Sequence, residues 1–332
     1  MTIKHKSFPL EIIGPTPPPY GGVSTHLLRL QNYLIESNLN FRIINQYKNS
    51  TPNIREKEWI YSLFTTEKKL HIHIFSDLLY PLLWLAKKIN PKLDIIITIH
   101  NERLKKSRFR KAIFFFMKNT NYYKVISASK SIKDFLESFG IAATYLPAYV
   151  PPPSTSSIND EILDKRYTFH TCFNIWNFYD GSERDYGIDF LAELAEKHPS
   201  HAFYIFLGNG DTERKARQWL ATKPKNIFLL SGKNLVSYLS IFDLFLRLNR
   251  LDAYGVSIQE ALDSDVLAIA TNVCTRPTGA ILVDADSKNI LDTYSELSTL
   301  ESSERKQLAQ SRRLTPEFHI DLIKIYQEFV KA

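Results

Sequence analysis

Two stretches of the chain join glycine to hydroxyl and carboxylate side chains at spacings suited to an anionic ligand. The first runs Pro-Pro-Pro-Tyr-Gly-Gly-Val-Ser-Thr-His from Pro17 to His26. Paired glycines, Gly21 and Gly22, let a backbone approach a phosphate closely, and a helix opening there offers unpaired N–H groups and a positive dipole end. The same residues suit a plain strand-to-helix turn equally well. The second stretch runs Asp-Ala-Tyr-Gly-Val-Ser-Ile-Gln-Glu from Asp252 to Glu260. Gly255, Val256 and Ser257 stand where a loop enters a helix, so their backbone N–H groups can meet a diphosphate. Glu260 follows about one and a half turns into that helix, where a carboxylate can accept both hydrogen bonds of a diol. On residue chemistry alone, an N-capped surface helix with an exposed glutamate is the simpler reading.

A third constellation spans Arg103 to Lys124, with eight Lys or Arg, no acidic residue, and phenylalanines and tyrosines between them. Lys105, Lys106, Arg108, Arg110 and Lys111 form its densest part. Basic residues beside phenylalanine suit an interfacial helix on an anionic membrane surface. The alternative is an ordinary helix that buries Phe114–Phe116 and exposes its lysines. No nucleic-acid partner is expected, because no recognised binding motif accompanies the charge. His100 closes the apolar run Ile95–Ile99. His71 and His73 alternate along another run without a Cys or carboxylate at ligand spacing, so they read as structural and no metal is expected.

The elements that would position these residues alternate between β-branched runs and helical periodicity, the pattern of parallel sheets covered by helices. Strands are predicted at Leu10–Ile13, Phe41–Asn45, Leu70–Phe75, Ile95–Ile99, Val125–Ala128 and Ala143–Leu146. Helices are predicted at Val23–Ser37, Leu78–Ile89, Arg108–Asn119 and Ser131–Ser138. Four prolines between Pro147 and Pro153 then stop regular structure. A second series follows, with strands at Thr168–Asn174, Ala202–Leu207, Ile227–Leu230, Leu244–Leu248 and Leu267–Ala270. Its helices are predicted at Ile188–Lys197, Thr212–Ala221, Leu235–Ile241 and Gly255–Asp263. The expectation is an α/β protein of two doubly wound, Rossmann-like domains, 1–150 and 151–332, facing across a cleft where open sheets bind ligands. The segment from about Thr315 is expected to pack back on the first domain.

Composition narrows the class. A chain of 332 residues with 44% hydrophobic residues fills two ordinary cores. Residues 1–150 carry a net charge of +12 and the remainder −5, so the first half is the one suited to an anionic partner. Two cysteines and no apolar run of membrane-spanning length point to a cytoplasmic protein, with no signal peptide expected at Met1–Phe8.

Pro18-Pro-Tyr-Gly-Gly-Val-Ser-Thr-His-Leu-Leu-Arg-Leu resembles the N-terminal signature of the family 4 retaining glycosyltransferases. Asp252–Glu260 resembles their paired acidic motif with its internal glycine, and Ala268–Gly279 resembles the strand and loop that follow it. The resemblance covers nearly the whole chain and implies a GT-B fold of the bacterial cell-surface glycan type. It implies transfer of a hexosyl or N-acetylhexosaminyl group from a nucleotide-sugar donor, UDP-linked, to a glycan or lipid-linked acceptor at the inner membrane face, without cofactor or metal. By the same resemblance Gly21, Gly22, Gly255, Val256 and Ser257 face the donor, Glu260 holds its ribose, and His100 and Asp252 lie at the transferred sugar. One departure stands out: Tyr186 replaces a lysine that relatives use against the diphosphate. Arg184 is the substitute taken into the donor site, with Lys233, Arg247, Arg250 and Arg276 as others. An epimerase of the same fold, or a non-catalytic scaffold subunit, are the rival readings.

Overall fold

The structure, a computed structural model, describes residues 9–17, 22–46, 58–64, 69–74, 76–100, 103–152 and 161–332. The chain forms two compact units, 1–150 with 317–332, and 151–316.

In the first unit six parallel strands, β1 (Leu10–Gly14), β2 (Phe41–Asn45), β3 (Lys69–Ile74), β4 (Asp94–Ile99), β5 (Lys124–Ser127) and β6 (Thr144–Tyr145), lie in the order β2-β1-β3-β4-β5-β6. Between them run α1 (Gly22–Glu36), α2 (Glu58–Phe64), α3 (Leu79–Ile89), α4 (Arg103–Lys106), α5 (Arg110–Asn119) and α6 (Lys130–Ser138). Strands in a sheet covered on both faces read as unbroken apolar runs, because successive side chains enter opposite cores. β4 does this: Ile95 and Ile97 join a cluster with Leu83, Ile113 and Ile132, while Ile96 joins Leu27, Leu30 and Leu34 of α1 on the other face.

The second unit repeats the scheme with β7 (Phe169–Ile175), α7 (Ser182–Tyr186), α8 (Ile188–Lys197), β8 (His201–Leu207), α9 (Glu213–Leu220), β9 (Ile227–Ser231) and β10 (Leu244–Arg247). There follow α10 (Val256–Asp263), β11 (Leu267–Thr271), β12 (Ile281–Val283), α11 (Ser287–Thr299) and α12 (Ser302–Arg312). All six strands are parallel, in the order β12-β11-β10-β7-β8-β9.

The helix predicted over Leu235–Ile241 is instead two short 3₁₀ turns, Leu235–Ser237 and Leu239–Ile241, closed by bonds such as Tyr238 N–H to the Leu235 carbonyl. Seven residues nucleate an α-helix poorly, and β10 begins only three residues later at Leu244. The predicted strand end at Phe75 lies outside the described residues.

The last helix, α13 (Phe318–Lys331), belongs to the first unit. Leu322, Ile325, Tyr326 and Phe329 enter the core shared by α1, Leu10, Ile12 and Ile96. Lys69 Nζ, at the start of β3, donates to the Phe329 carbonyl at 2.6 Å. A buried phenylalanine exchanged for alanine costs about 3–5 kcal/mol, so Phe329→Ala is expected to destabilise the first unit by that amount. Native-state hydrogen exchange checks this: amides of β1 and β4 should lose protection while those of β7 and β8 keep it.

Candidate functional site

In the second unit the chain leaves β7 toward β8 and returns on the opposite side at β10. Open parallel sheets bind ligands beyond the carboxyl ends of the strands at such a reversal. Asn174 lies next to the end of β7 and Arg247 ends β10. The Arg247 guanidinium donates from Nη1 to Asn174 Oδ1 at 3.1 Å, and Ser257 Oγ, in the first turn of α10, donates to the same oxygen at 3.1 Å. One amide thus ties two strand ends to a helix N-terminus.

Arg247 also grips Asp252 with two parallel bonds, Nε to Oδ2 at 2.8 Å and Nη2 to Oδ1 at 2.9 Å. Arg276 Nη1 donates to Asp252 Oδ2 at 2.5 Å, and the Ala253 backbone N–H to Oδ1 at 3.0 Å. Burial alone would raise the Asp252 carboxyl, but Arg247, and after it Arg276, hold it well below the usual carboxylate range. Arg276 is in turn fixed by Nε to the Thr271 carbonyl at 2.9 Å and Nη2 to Thr271 Oγ1 at 3.2 Å.

Gly255 makes this packing possible. It precedes α10 with φ +81°, and a Cβ there would stand 2.6 Å from Ile258 Cδ1 and 2.9 Å from Arg276 Nη1. Ser257 and Glu260 follow on one face of α10, three residues apart, and Glu260 is buried rather than exposed. Val256 is half-buried.

Tyr186, at the end of α7, is close enough to Arg247 and Asp252 to feel both charges. Burial raises its phenol, opposed by hydrogen bonds from the backbone of Asn177 and Trp176 and by Arg247. Gly187 next to it has φ +73°, and a Cβ there would lie 2.1 Å from the Leu248 carbonyl oxygen, so only glycine lets this turn meet the end of β10. Arg184 is exposed, and its carbonyl accepts from Arg250 Nη1 at 2.7 Å. Arg250 is committed to Asp189 through two bonds of 2.7 Å. Lys233 is exposed and sits over the Tyr238 ring.

The first unit has its own reversal between β1 and β3. Beside it four imidazoles pack together: His71 and His73 of β3, His100 after β4, and His26 of α1. Ring centres lie 4.4 Å apart for His71–His73, 4.9 Å for His73–His100 and 5.6 Å for His26–His73. His73 Nδ1 and His100 Nε2 are 2.6 Å apart, which requires one of those nitrogens to be unprotonated. His71 is held between Thr98 Oγ1 at 2.7 Å and the Tyr326 hydroxyl of α13 at 2.5 Å. Burial lowers His26 to about 4 and His100 to about 3, and holds His71 and His73 well below 6.5. Among the described residues no group of three or more His, Cys, Asp or Glu is arranged to hold a metal ion.

Gly21 and Pro18–Tyr20 lie outside the described residues. Gly22 opens α1, exposed, with open space where a Cβ would stand. In the basic cluster, α5 buries Ile113, Phe114 and Met117 and exposes Lys111 and Phe115. Arg108, Phe109 and Arg110 before and at its start are exposed as well, whereas Lys105 is half-buried against Phe135. The side chain of Lys106 is outside the described residues. The hub role of Asn174 and the grouping of His26 and His73 with His100 escaped sequence reasoning. For the histidines a signal existed: in parallel register His73 faces Thr98, two residues before His100.

The four imidazoles set a stability limit in acid. The unfolded chain protonates them below about pH 6.5, whereas the folded chain holds His26 and His100 neutral to about pH 4 and 3. The unfolded state then binds more protons, so stability is complete above pH 6.5 and falls as pH drops toward those values, by up to about 1.4 kcal/mol per pH unit for each imidazole. Urea unfolding of wild type and His26→Asn across pH 7 to 4 checks this. The variant should show a slope shallower by about one proton; equal slopes would remove His26 from the account.

No protein-family model matches the chain, and no curated protein matches it. Solved structures do. Sucrose-phosphate synthase from Thermosynechococcus elongatus superposes with a TM-score of 0.71 at 13% identity, covering 98% of this chain and 100% of that one. The pneumococcal O-GlcNAc transferase GtfA, solved with UDP and GlcNAc, superposes with a TM-score of 0.59 at 15% identity over 83% of this chain, which spans 60% of that protein. WaaG, a glycosyltransferase involved in lipopolysaccharide biosynthesis, gives 0.58 at 13% identity over 92% of this chain and 94% of its own. The fold is GT-B, two units each with a parallel six-stranded sheet flanked by helices.

Proposed function

We propose that the protein is a glycosyltransferase that moves a hexosyl or N-acetylhexosaminyl group from a nucleotide donor, a UDP-sugar, to a glycan or lipid-linked acceptor with retention of configuration. The observation that carries this reading is the junction at the β7–β10 reversal. A helix N-terminus, the Arg247–Asn174–Ser257 bonds and a buried glutamate one turn further on converge there, in a fold shared with a transferase solved with UDP and GlcNAc.

In this reading the backbone at Gly255, Val256 and Ser257 meets the donor's phosphates and Glu260 accepts from the ribose hydroxyls, while Gly21 and Gly22 keep the donor-facing role that the resemblance implies. His100 lies at the transferred sugar, and its neutrality, enforced by burial, suits a hydrogen-bonding rather than a charged role. Catalysis rests on positioning and on stabilising charge at the departing diphosphate, with no metal or other cofactor.

A thermal-shift series with nucleosides, nucleoside diphosphates and nucleotide sugars tests the reading, since a ligand bound only by the native state raises stability by mass action. UDP and a UDP-sugar should raise the melting temperature. Glu260→Ala should keep the fold and lose about 1.5–3 kcal/mol of nucleotide affinity by calorimetry. Unchanged affinity would take Glu260 out of the site. A changed UDP-sugar released without an acceptor would favour an epimerase, and no nucleotide response a scaffold.

The exposed aromatics within the basic cluster support an acceptor held at an anionic membrane. Phe109 is 72% and Phe115 56% exposed, beside exposed Arg108, Arg110 and Lys111. No described helix is long and apolar enough to cross a membrane; the contact proposed here is peripheral, at the inner face, through aromatic insertion and charge. Flotation with vesicles containing anionic lipid should recover the protein at low salt and lose it as salt rises, each basic side chain contributing about 1 kcal/mol. Exchanging Arg108, Arg110 and Lys111 for glutamate should abolish flotation and leave UDP affinity unchanged.

A further inference from the structure

The geometry points to Arg247 as the residue that binds the donor's diphosphate, with Asp252 and Arg276 as a charge-balanced pair that aims it and leaves its charge unspent. This rests on the nucleotide-donor reading above and names the group that supplies its missing cation.

Three observations lead there. First, Asp252 has no acceptor capacity left. Its two oxygens take four hydrogen bonds, two from Arg247, one from Arg276 and one from the Ala253 N–H, and a carboxylate offers about four lone-pair sites. A sugar hydroxyl therefore has nothing to donate to, and Asp252, expected beside the transferred sugar, is a positioning residue.

Second, the charges do not cancel. Two guanidiniums share one carboxylate, a net of +1. The Arg276 side chain is 1% exposed and Asp252 10%, while Arg247 is 15% exposed. The buried Arg276–Asp252 pair neutralises itself, and Arg247 carries the surplus on the accessible side. A buried cation of this kind calls for an anion. Three of the five N–H donors of Arg247 are used by Asp252 and Asn174, which leaves one on Nη1 and one on Nη2 for phosphate oxygens.

Third, the other candidates are placed elsewhere. Arg250 is committed to Asp189, Lys233 lies over Tyr238, and Arg184 is exposed, its carbonyl taking a bond from Arg250 rather than from the cluster. Tyr186 stands beside Arg247 as a neutral phenol, raised by burial.

Charge bookkeeping makes a test that a merely structural cluster would fail. Calorimetric Kd values are measured for UDP, uridine and inorganic pyrophosphate. Wild type should bind UDP at least tenfold more tightly than uridine. Arg247→Gln should shrink that ratio about tenfold, the loss of one charge-assisted hydrogen bond. Arg276→Gln should shrink it similarly, though Arg276 touches no ligand, because Asp252 then cancels Arg247. Adding Asp252→Asn to Arg276→Gln restores the net charge and should restore the ratio. Asp252→Asn alone raises the net charge and should tighten UDP and pyrophosphate, which also covers the case of an Arg276 variant that does not fold. Uridine affinity should stay constant in every folded variant.

The inference is overturned if UDP binds but Arg247→Gln leaves the ratio intact, or if Asp252→Asn weakens UDP; the nucleotide reading survives both. If pyrophosphate binds in an Arg247-dependent way while neither UDP nor uridine binds, the nucleotide reading falls and Arg247 stands as an anion site. Absence of UDP and pyrophosphate binding alike overturns both.

Discussion

The Asp252 carboxylate is the point at which β10, the loop after β11 and the N-terminus of α10 are fastened together. A buried carboxylate is tolerated only if its charge is met and its lone pairs are filled, and here both conditions are satisfied by two guanidiniums and one backbone N–H. Meeting them dictates the surroundings. Arg276 must reach back from the loop, which forbids a side chain at position 255 and makes Gly255 the only residue that fits both the φ of +81° and the 2.9 Å approach. Arg247 must lie along the end of β10, which brings it to Asn174 on β7 and, through the shared amide oxygen, to Ser257. The geometry at the reversal is therefore the consequence of solving one burial problem.

The first unit solves the matching problem without charge. Its reversal is flanked by imidazoles held neutral by burial, two of them paired at 2.6 Å and a third between two hydroxyls. Neutral rings need no counter-ion, so the cluster packs against apolar strands at lower desolvation cost than an ion pair. The choice has a structural dependence: the Tyr326 hydroxyl comes from α13, at the far end of the chain from β3. The C-terminal helix thus closes the polar interior of a unit that began more than 200 residues earlier in sequence, and its apolar face completes that unit's core.

Much of the fold was legible because parallel sheets make strong local signals. Ile95–Ile99 and Leu267–Ala270 read as strands since both faces are buried. What was not legible depends on long-range geometry. Leu235–Ile241 has helical composition, yet the start of β10 leaves no room for a continued α-helix. Glu260 reads as an exposed residue in sequence and is buried, because α10 packs with Ile258, Ala261 and Leu262 in the core. Of five arginines and lysines that sequence could offer in place of Tyr186, nothing local separates them; only the pairing of Arg250 with Asp189 and of Arg247 with Asp252 does so.

The tyrosine at position 186, where the resemblance implies a lysine, becomes intelligible on the same terms. A lysine is a compact point charge on a flexible stem, whereas an arginine fork is fixed by the bonds it already makes. A second cation at position 186, beside Arg247, would add repulsion to a centre that already holds two guanidiniums for one carboxylate. A neutral phenol beside Arg247 avoids that repulsion. Gly187, next in sequence, lets the chain press against the Leu248 carbonyl, where no Cβ fits, and so holds position 186 beside the end of β10.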